Sequence, residues 1–118
     1  MMPTRVLLVE DDTLTRRNIA IYLRRSQIEV DEAANGEEAV RLITSIDKYD
    51  VLVSDLRMPG MTDGMDVITC QQRVSPGTSC ILVTSETGAS AGCGLPGKAR
   101  FPGRLLAKIA RLAAPHTP

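Results

Sequence analysis

Val6-Leu7-Leu8-Val9-Glu10-Asp11-Asp12 sets a continuous apolar run directly against three consecutive acids. Four uninterrupted apolar residues suit a strand covered on both faces, as the strands of a parallel sheet are. Two further runs have the same character. Val51-Leu52-Val53 is followed within two residues by Asp55, and Cys80-Ile81-Leu82-Val83 leads into Thr84 and Ser85. Residues 28–33 alternate only in part and read as an edge-like strand.

Helical patterns lie between these runs. Asp12 or Thr13 can cap a helix reaching about Arg25, with Ile19, Ala20 and Leu23 on one side and Leu14 and Ile21 on another. Asn35-Gly36 opens a second helix, where Ala39, Val40, Ile43 and Ile46 keep helical spacing. A third runs from about Gly64 to Arg73, with Val67, Cys70 and Val74 in register, and Pro76-Gly77 ends that region. The last starts at Pro102 and carries Leu105, Leu106, Ile109, Leu112 and Ala113. Strand and helix alternate throughout, which predicts a doubly wound α/β sheet with right-handed crossovers. Residues 88–97 break the rhythm. They hold Gly88, Gly92, Gly94 and Gly97 plus Pro96, a composition that disfavours a regular helix.

The 118 residues match one domain, residues 1–118, with 43% hydrophobic and 24% charged content. Lys+Arg and Asp+Glu are 14 each, a balance that argues against general nucleic-acid or membrane binding. The zero is uneven. All 14 acids lie in residues 1–86, whereas Lys98, Arg100, Arg104, Lys108 and Arg111 make the remainder purely basic. Cys70, Cys80 and Cys93 form no ligand pattern. Their odd number and the lack of a signal peptide read as reduced thiols in a cytoplasmic protein. No apolar run approaches the roughly 20 residues of a membrane span.

In open α/β sheets, function gathers at the carboxyl ends of the strands. Glu10, Asp11 and Asp12 follow the first run, Asp55 the third, Thr84 the fourth, and Lys98 a weak fifth segment, Gly94-Leu95-Pro96-Gly97. Carboxylates gathered in one site repel, and a hard divalent cation relieves them. Mg²⁺, which takes a few carboxylate oxygens and completes its octahedron with water, fits that donor set. Carboxylates, Mg²⁺, a Lys and a hydroxyl together suit phosphoryl chemistry, in which one carboxylate can be the nucleophile.

Val9-Glu10-Asp11-Asp12, Asp55-Leu56-Arg57-Met58-Pro59-Gly60, Thr84 after a buried run, and Lys98 seven residues before Leu105 resemble the receiver domain of two-component response regulators. The resemblance covers residues 4 to about 114. It implies a flavodoxin-like, five-stranded parallel sheet of order 2-1-3-4-5 flanked by helices. It implies Asp55 as phosphoacceptor, charged from a phosphohistidine on a sensor histidine kinase or histidine phosphotransfer protein. Glu10 and Asp11 would hold Mg²⁺, Asp11 directly and Glu10 through water, with Asp55 and the backbone carbonyl of Arg57. Thr84 and Lys98 would meet the phosphoryl oxygens. Arg57 and Glu86 stand where side chains tune phosphoryl lifetime, or form a surface ion pair. Such a chain is a signalling phosphoacceptor rather than an enzyme. The sequence leaves a homodimer open.

Several residues depart from the pattern. Thr62 lengthens the loop after Asp55 by one residue, a change that costs little. Leu95 stands where the family carries an aromatic, and Ala99 where it carries a proline after the Lys. The interval from Thr84 to Lys98 is short by roughly two helical turns, so the fourth helix is expected to be short or missing. Two motifs there are decoys. Gly92-x-Gly94-x-x-Gly97 and Gly92-x-x-x-x-Gly97-Lys98 imitate nucleotide loops, but Pro96 and Pro102 break the strand-to-helix context those loops need. Two other readings compete. One is a pseudo-receiver that keeps the fold as an interaction module. The other is a haloacid-dehalogenase-like phosphohydrolase, whose Asp-x-Asp signature meets Glu10-x-Asp12 here.

Overall fold

In a computed structural model the described residues are 3–45, 49–55, 63–84, 95–96 and 102–113. In chain order they form β1 (Arg5–Val9), α1 (Thr13–Arg25), β2 (Glu29–Ala33), α2 (Gly36–Ser45), β3 (Val51–Asp55), α3 (Gly64–Val74), β4 (Ser79–Thr84), β5 (Leu95–Pro96) and α4 (Pro102–Ala113). The five strands make one parallel sheet of order β2-β1-β3-β4-β5, the order expected. Leu95 and Pro96 pair with Val83 and Thr84. Residues 85–94, and with them the expected loss of a helix, lie outside the described residues.

The apolar runs are continuous because each feeds two cores. Val6 and Leu8 of β1 join Val51, Val53 and Ile81 on one face, under Ile19, Ala20 and Leu23 of α1 and Leu105 and Ile109 of α4. Leu7 and Val9 join Leu52 on the other, under Ala39 and Ile43 of α2 and Val67, Ile68 and Cys70 of α3. Successive strand residues point to opposite faces, so the middle of a strand with helices on both sides is apolar on both, and polar residues such as Ser54 and Asp55 of β3 gather at its carboxyl end.

The helix ends carry chemistry legible in the chain. Asp12 caps α1, its carboxylate accepting from the Thr15 N–H at 2.9 Å and also from the Thr15 hydroxyl. Asp63 and Asp66 form a capping box at the start of α3. Asn35 accepts from the Glu38 N–H at 2.8 Å at the start of α2. After α1, Gln27 takes the left-handed conformation (φ 66°), and the Ile28 N–H bonds back to the Leu23 carbonyl at 3.3 Å. Leu23 and Ile28 pack in the same core, so their contact holds a turn that glycine would adopt without strain.

The α3 stripe is a correction. Val74, expected in register with Val67 and Cys70, is 46% exposed, and Gln71 is buried in its place. Helical spacing is satisfied by both positions. The slab formed by β3 and α2 selects the inner one. Cys70 is buried and Cys80 half-buried, both against this second core, and Cys93 lies outside the described residues.

At the amino ends of the strands, Tyr49 is buried and donates its phenol to Asp31 Oδ2 at 2.7 Å. Burial first, then the hydrogen bond and negative charge of Asp31, hold this phenol far above its ordinary value, with Arg5 opposing. The folded chain therefore keeps the proton more tightly than the unfolded chain does. The stabilisation is complete below about pH 10, the usual phenol value, and is lost as pH rises beyond it. Urea unfolding at rising alkaline pH should show wild type losing stability faster than Tyr49→Phe. Equal slopes would refute this assignment.

Candidate functional site

The strand register brings the singled-out acids together. Val9 pairs with Ser54, which sets Glu10 and Asp11 beyond β1 at the level of Asp55, the last residue of β3. Asp55 pairs with Val83, so Thr84 ends β4 one residue further along. Thr84 in turn pairs with Pro96, two residues before Lys98 in the chain. Parallel strands present their carboxyl ends on one rim, which is why residues far apart in sequence converge here.

Glu10 and Asp55 are only 3% and 2% exposed, and Asp11 is partly exposed. One carboxylate oxygen from each of the three lies within 4.8 Å of the others. At that separation two like charges repel by roughly 3 kcal/mol at an effective dielectric near 20. A donor set of hard, anionic oxygens this close, half open to solvent through Asp11, has the chemistry of a Mg²⁺ or Ca²⁺ site. Asp12 stands apart from the cluster, because its carboxylate is engaged as the α1 cap.

The backbone around Glu10 is held at three points. The Glu10 N–H donates to the Ala33 carbonyl of β2 at 3.0 Å. The Glu10 carbonyl accepts from Arg16 Nη1 at 3.0 Å. The Glu10 carboxylate accepts from the Asp12 N–H at 2.9 Å. Arg16, whose side chain is 13% exposed, also pairs through Nε with Glu32 of β2 at 3.2 Å. Glu32 takes a second guanidinium, that of Arg24, at 3.0 Å. Arg16 was not among the residues that sequence reasoning singled out. Its role depends on β2 lying beside β1, so no local spacing marks it.

Of the expected site residues, Glu10, Asp11 and Asp55 meet in one cluster, and the backbone of Thr84 lies at the adjoining strand end. Arg57, Glu86 and Lys98 lie outside the described residues.

The family model of the response regulator receiver domain matches residues 6–92. The transcriptional regulatory protein ResD of Bacillus subtilis is 39% identical over 84 residues, covering 70% of this chain and 33% of ResD. Among solved structures, the receiver domain of the hybrid histidine kinase CckA is 30% identical, with a TM-score of 0.80 over 93% of this chain and 99% of that one. The response regulator TrrA of Thermotoga maritima, solved in complex with Mg²⁺ and BeF, is 26% identical, with a TM-score of 0.79 over 92% of this chain and 98% of that one.

This chain belongs to the response regulator receiver domain family, the signalling module of two-component systems. It spans about a third or less of the length of the curated relatives it matches. Among the described residues, no helix is long and apolar enough to cross a membrane.

Proposed function

We propose that residues 1–118 act as one phosphoacceptor receiver in the cytoplasm, where ATP-dependent kinases work. Asp55 would accept a phosphoryl group from a phosphohistidine of a sensor histidine kinase or a histidine phosphotransfer protein. The observation that carries this reading is the cluster of Glu10, Asp11 and Asp55, with two of the three acids buried at the carboxyl rim of a parallel sheet. An Asp55 carboxylate oxygen attacks phosphorus, the phosphorus–nitrogen bond breaks, and the imidazole leaves neutral on taking up a proton. The new bond is an acyl phosphate on Asp55.

Glu10, Asp11 and Asp55, with the Arg57 carbonyl, would hold Mg²⁺. When bound, that cation neutralises charge on the phosphoryl oxygens. The structure of TrrA with Mg²⁺ and BeF supports the choice of metal. Burial of Asp55 keeps bulk water from its carboxylate, and the Glu10 backbone beside it is held by Arg16. Thr84, at the end of β4, would supply the hydroxyl and Lys98 the ammonium for the phosphoryl oxygens. The output would be a change in protein–protein contacts, with no turnover of a separate substrate. Balanced charge supports the absence of nucleic-acid binding by this chain.

Incubation with a small phosphodonor and Mg²⁺ should add the mass of one phosphoryl group, and chelation of Mg²⁺ should suppress the gain. Mg²⁺ binding without any gain would instead mark a pseudo-receiver. Sustained multiple turnover of p-nitrophenyl phosphate would mark a phosphohydrolase.

A further inference from the structure

The geometry points to Arg16 as a positioning residue for the cation pocket, acting through the backbone of Glu10 and held in place by Glu32. The inference rests on the reading of Glu10, Asp11 and Asp55 as a Mg²⁺ site. Three successive peptide planes surround the two acids that follow β1. The Val9–Glu10 plane is fixed by the Glu10 N–H on the Ala33 carbonyl. The Asp11–Asp12 plane is fixed by the Asp12 N–H on the Glu10 carboxylate. The plane between them, Glu10–Asp11, is fixed by Arg16 Nη1 on the Glu10 carbonyl at 3.0 Å.

A peptide unit is rigid, so its orientation sets ψ of the residue before it and φ of the residue after it. With all three planes tied, φ and ψ of both Glu10 and Asp11 are restrained, and with them the directions of their Cα–Cβ bonds. Release of the middle plane would free ψ of Glu10 and φ of Asp11 together. The two carboxylates would then no longer be held to one relative position.

Arg16 suits the task because a guanidinium offers several donors in a planar fork. Nη1 serves the carbonyl while Nε serves Glu32 Oε1 at 3.2 Å. Glu32 is itself steadied by Arg24 Nη1 on its other oxygen at 3.0 Å, and Arg24 Nη2 reaches the Val30 carbonyl at 2.7 Å. Glu32 and Ala33 are neighbours on β2, so one short piece of the edge strand secures both sides of Glu10, through Ala33 directly and through Arg16.

The sign of the effect separates positioning from plain electrostatics. Arg16 is a cation near a pocket for cations, so loss of its charge alone would tighten Mg²⁺ binding. Loss of its positioning weakens it, and groups that orient metal ligands typically matter by about 10- to 100-fold in affinity.

The test is calorimetric titration of the full chain with Mg²⁺ alone, with circular dichroism and melting curves confirming that each variant is folded. Arg16→Ala should bind Mg²⁺ about tenfold more weakly than wild type. Arg16→Lys keeps the charge but not the fork, and should fall several-fold below wild type; it carries the test if Arg16→Ala does not fold. Arg17→Ala, which removes an exposed charge from the same helix and no bond of this network, should stay within about twofold. Mg²⁺ affinity equal to or tighter than wild type in the folded Arg16 variants would overturn the inference while Asp11→Asn still loses binding. Absence of Mg²⁺ binding by wild type, or an Asp11→Asn variant that binds normally, would overturn the site reading and this inference with it.

Discussion

Asp55→Asn should take up no phosphoryl group under conditions where wild type gains one, and should nevertheless melt at a higher temperature than wild type without metal. The first effect is chemical. The amide preserves the shape of the carboxylate but lacks an anionic oxygen to attack phosphorus. Intact-mass measurement reads the outcome directly, and an equal gain in the variant would place the phosphoryl group elsewhere.

The second effect is electrostatic. Asp55 is buried, with a carboxylate oxygen within 4.8 Å of those of Glu10 and Asp11. The amide removes like-charge repulsion from two neighbours at once. A gain in stability is therefore expected in metal-free buffer, read as a rise in melting temperature. Mg²⁺ stabilises a fold in proportion to its affinity for the folded state. The variant should therefore respond to added Mg²⁺ less than wild type does. A variant less stable than wild type in chelator, yet still folded, would show that the three acids are not in mutual repulsion.

Ile109→Ala should be among the most destabilising single truncations on the molecule. Ile109 is fully buried in the core shared by α1, α4 and the sheet, beside Leu105 at 4% exposure. Removal of a buried side chain of this size loses transfer free energy and leaves a cavity, together about 2–5 kcal/mol. Against a total stability of about 5–15 kcal/mol, that is a large fraction. Urea unfolding should show the midpoint falling sharply. Leu14→Ala is the matched control. Leu14 is 70% exposed on α1, and its truncation should change stability by no more than about 0.5 kcal/mol. Similar midpoints for the two variants would mean that α4 is not docked on this core. The chemistry should survive Ile109→Ala at low temperature, because Ile109 is not one of the three clustered acids.

The two faces of the sheet explain how much was readable beforehand. Val6-Leu7-Leu8-Val9 could be recognised as a doubly covered strand because every one of its residues must be apolar, whichever face it meets. The pairing of acids with strand ends was equally local. Glu10 and Asp11 follow β1 and Asp55 closes β3, and parallel order alone carries them to one rim. Asp12 declared itself as a cap through the residues that follow it, whereas the Asp63–Asp66 capping box emerged from the structure. The amphipathic face of α3 was less determinate. Val74 and Gln71 both continue the spacing from Val67, and polarity favoured Val74. The structure buries Gln71, because packing against β3 and α2 outweighs the side chain's chemical type.

Local spacing and polarity by themselves determined the alternation of strands and helices and the acids that would meet, while the order of the sheet was implied by the family resemblance. Those properties depend on residues a few positions apart, or on a rule that every parallel strand obeys. The tertiary structure alone decided that Arg16 reaches the Glu10 carbonyl while Glu32 holds it from β2, and that Tyr49 closes on Asp31 at the opposite end of the strands. Each of those contacts joins separate elements, and the partners become neighbours only when β2 is laid beside β1 and the helices close over the faces. A side chain's partners across elements depend on register and packing direction, which residue spacing along the chain does not encode.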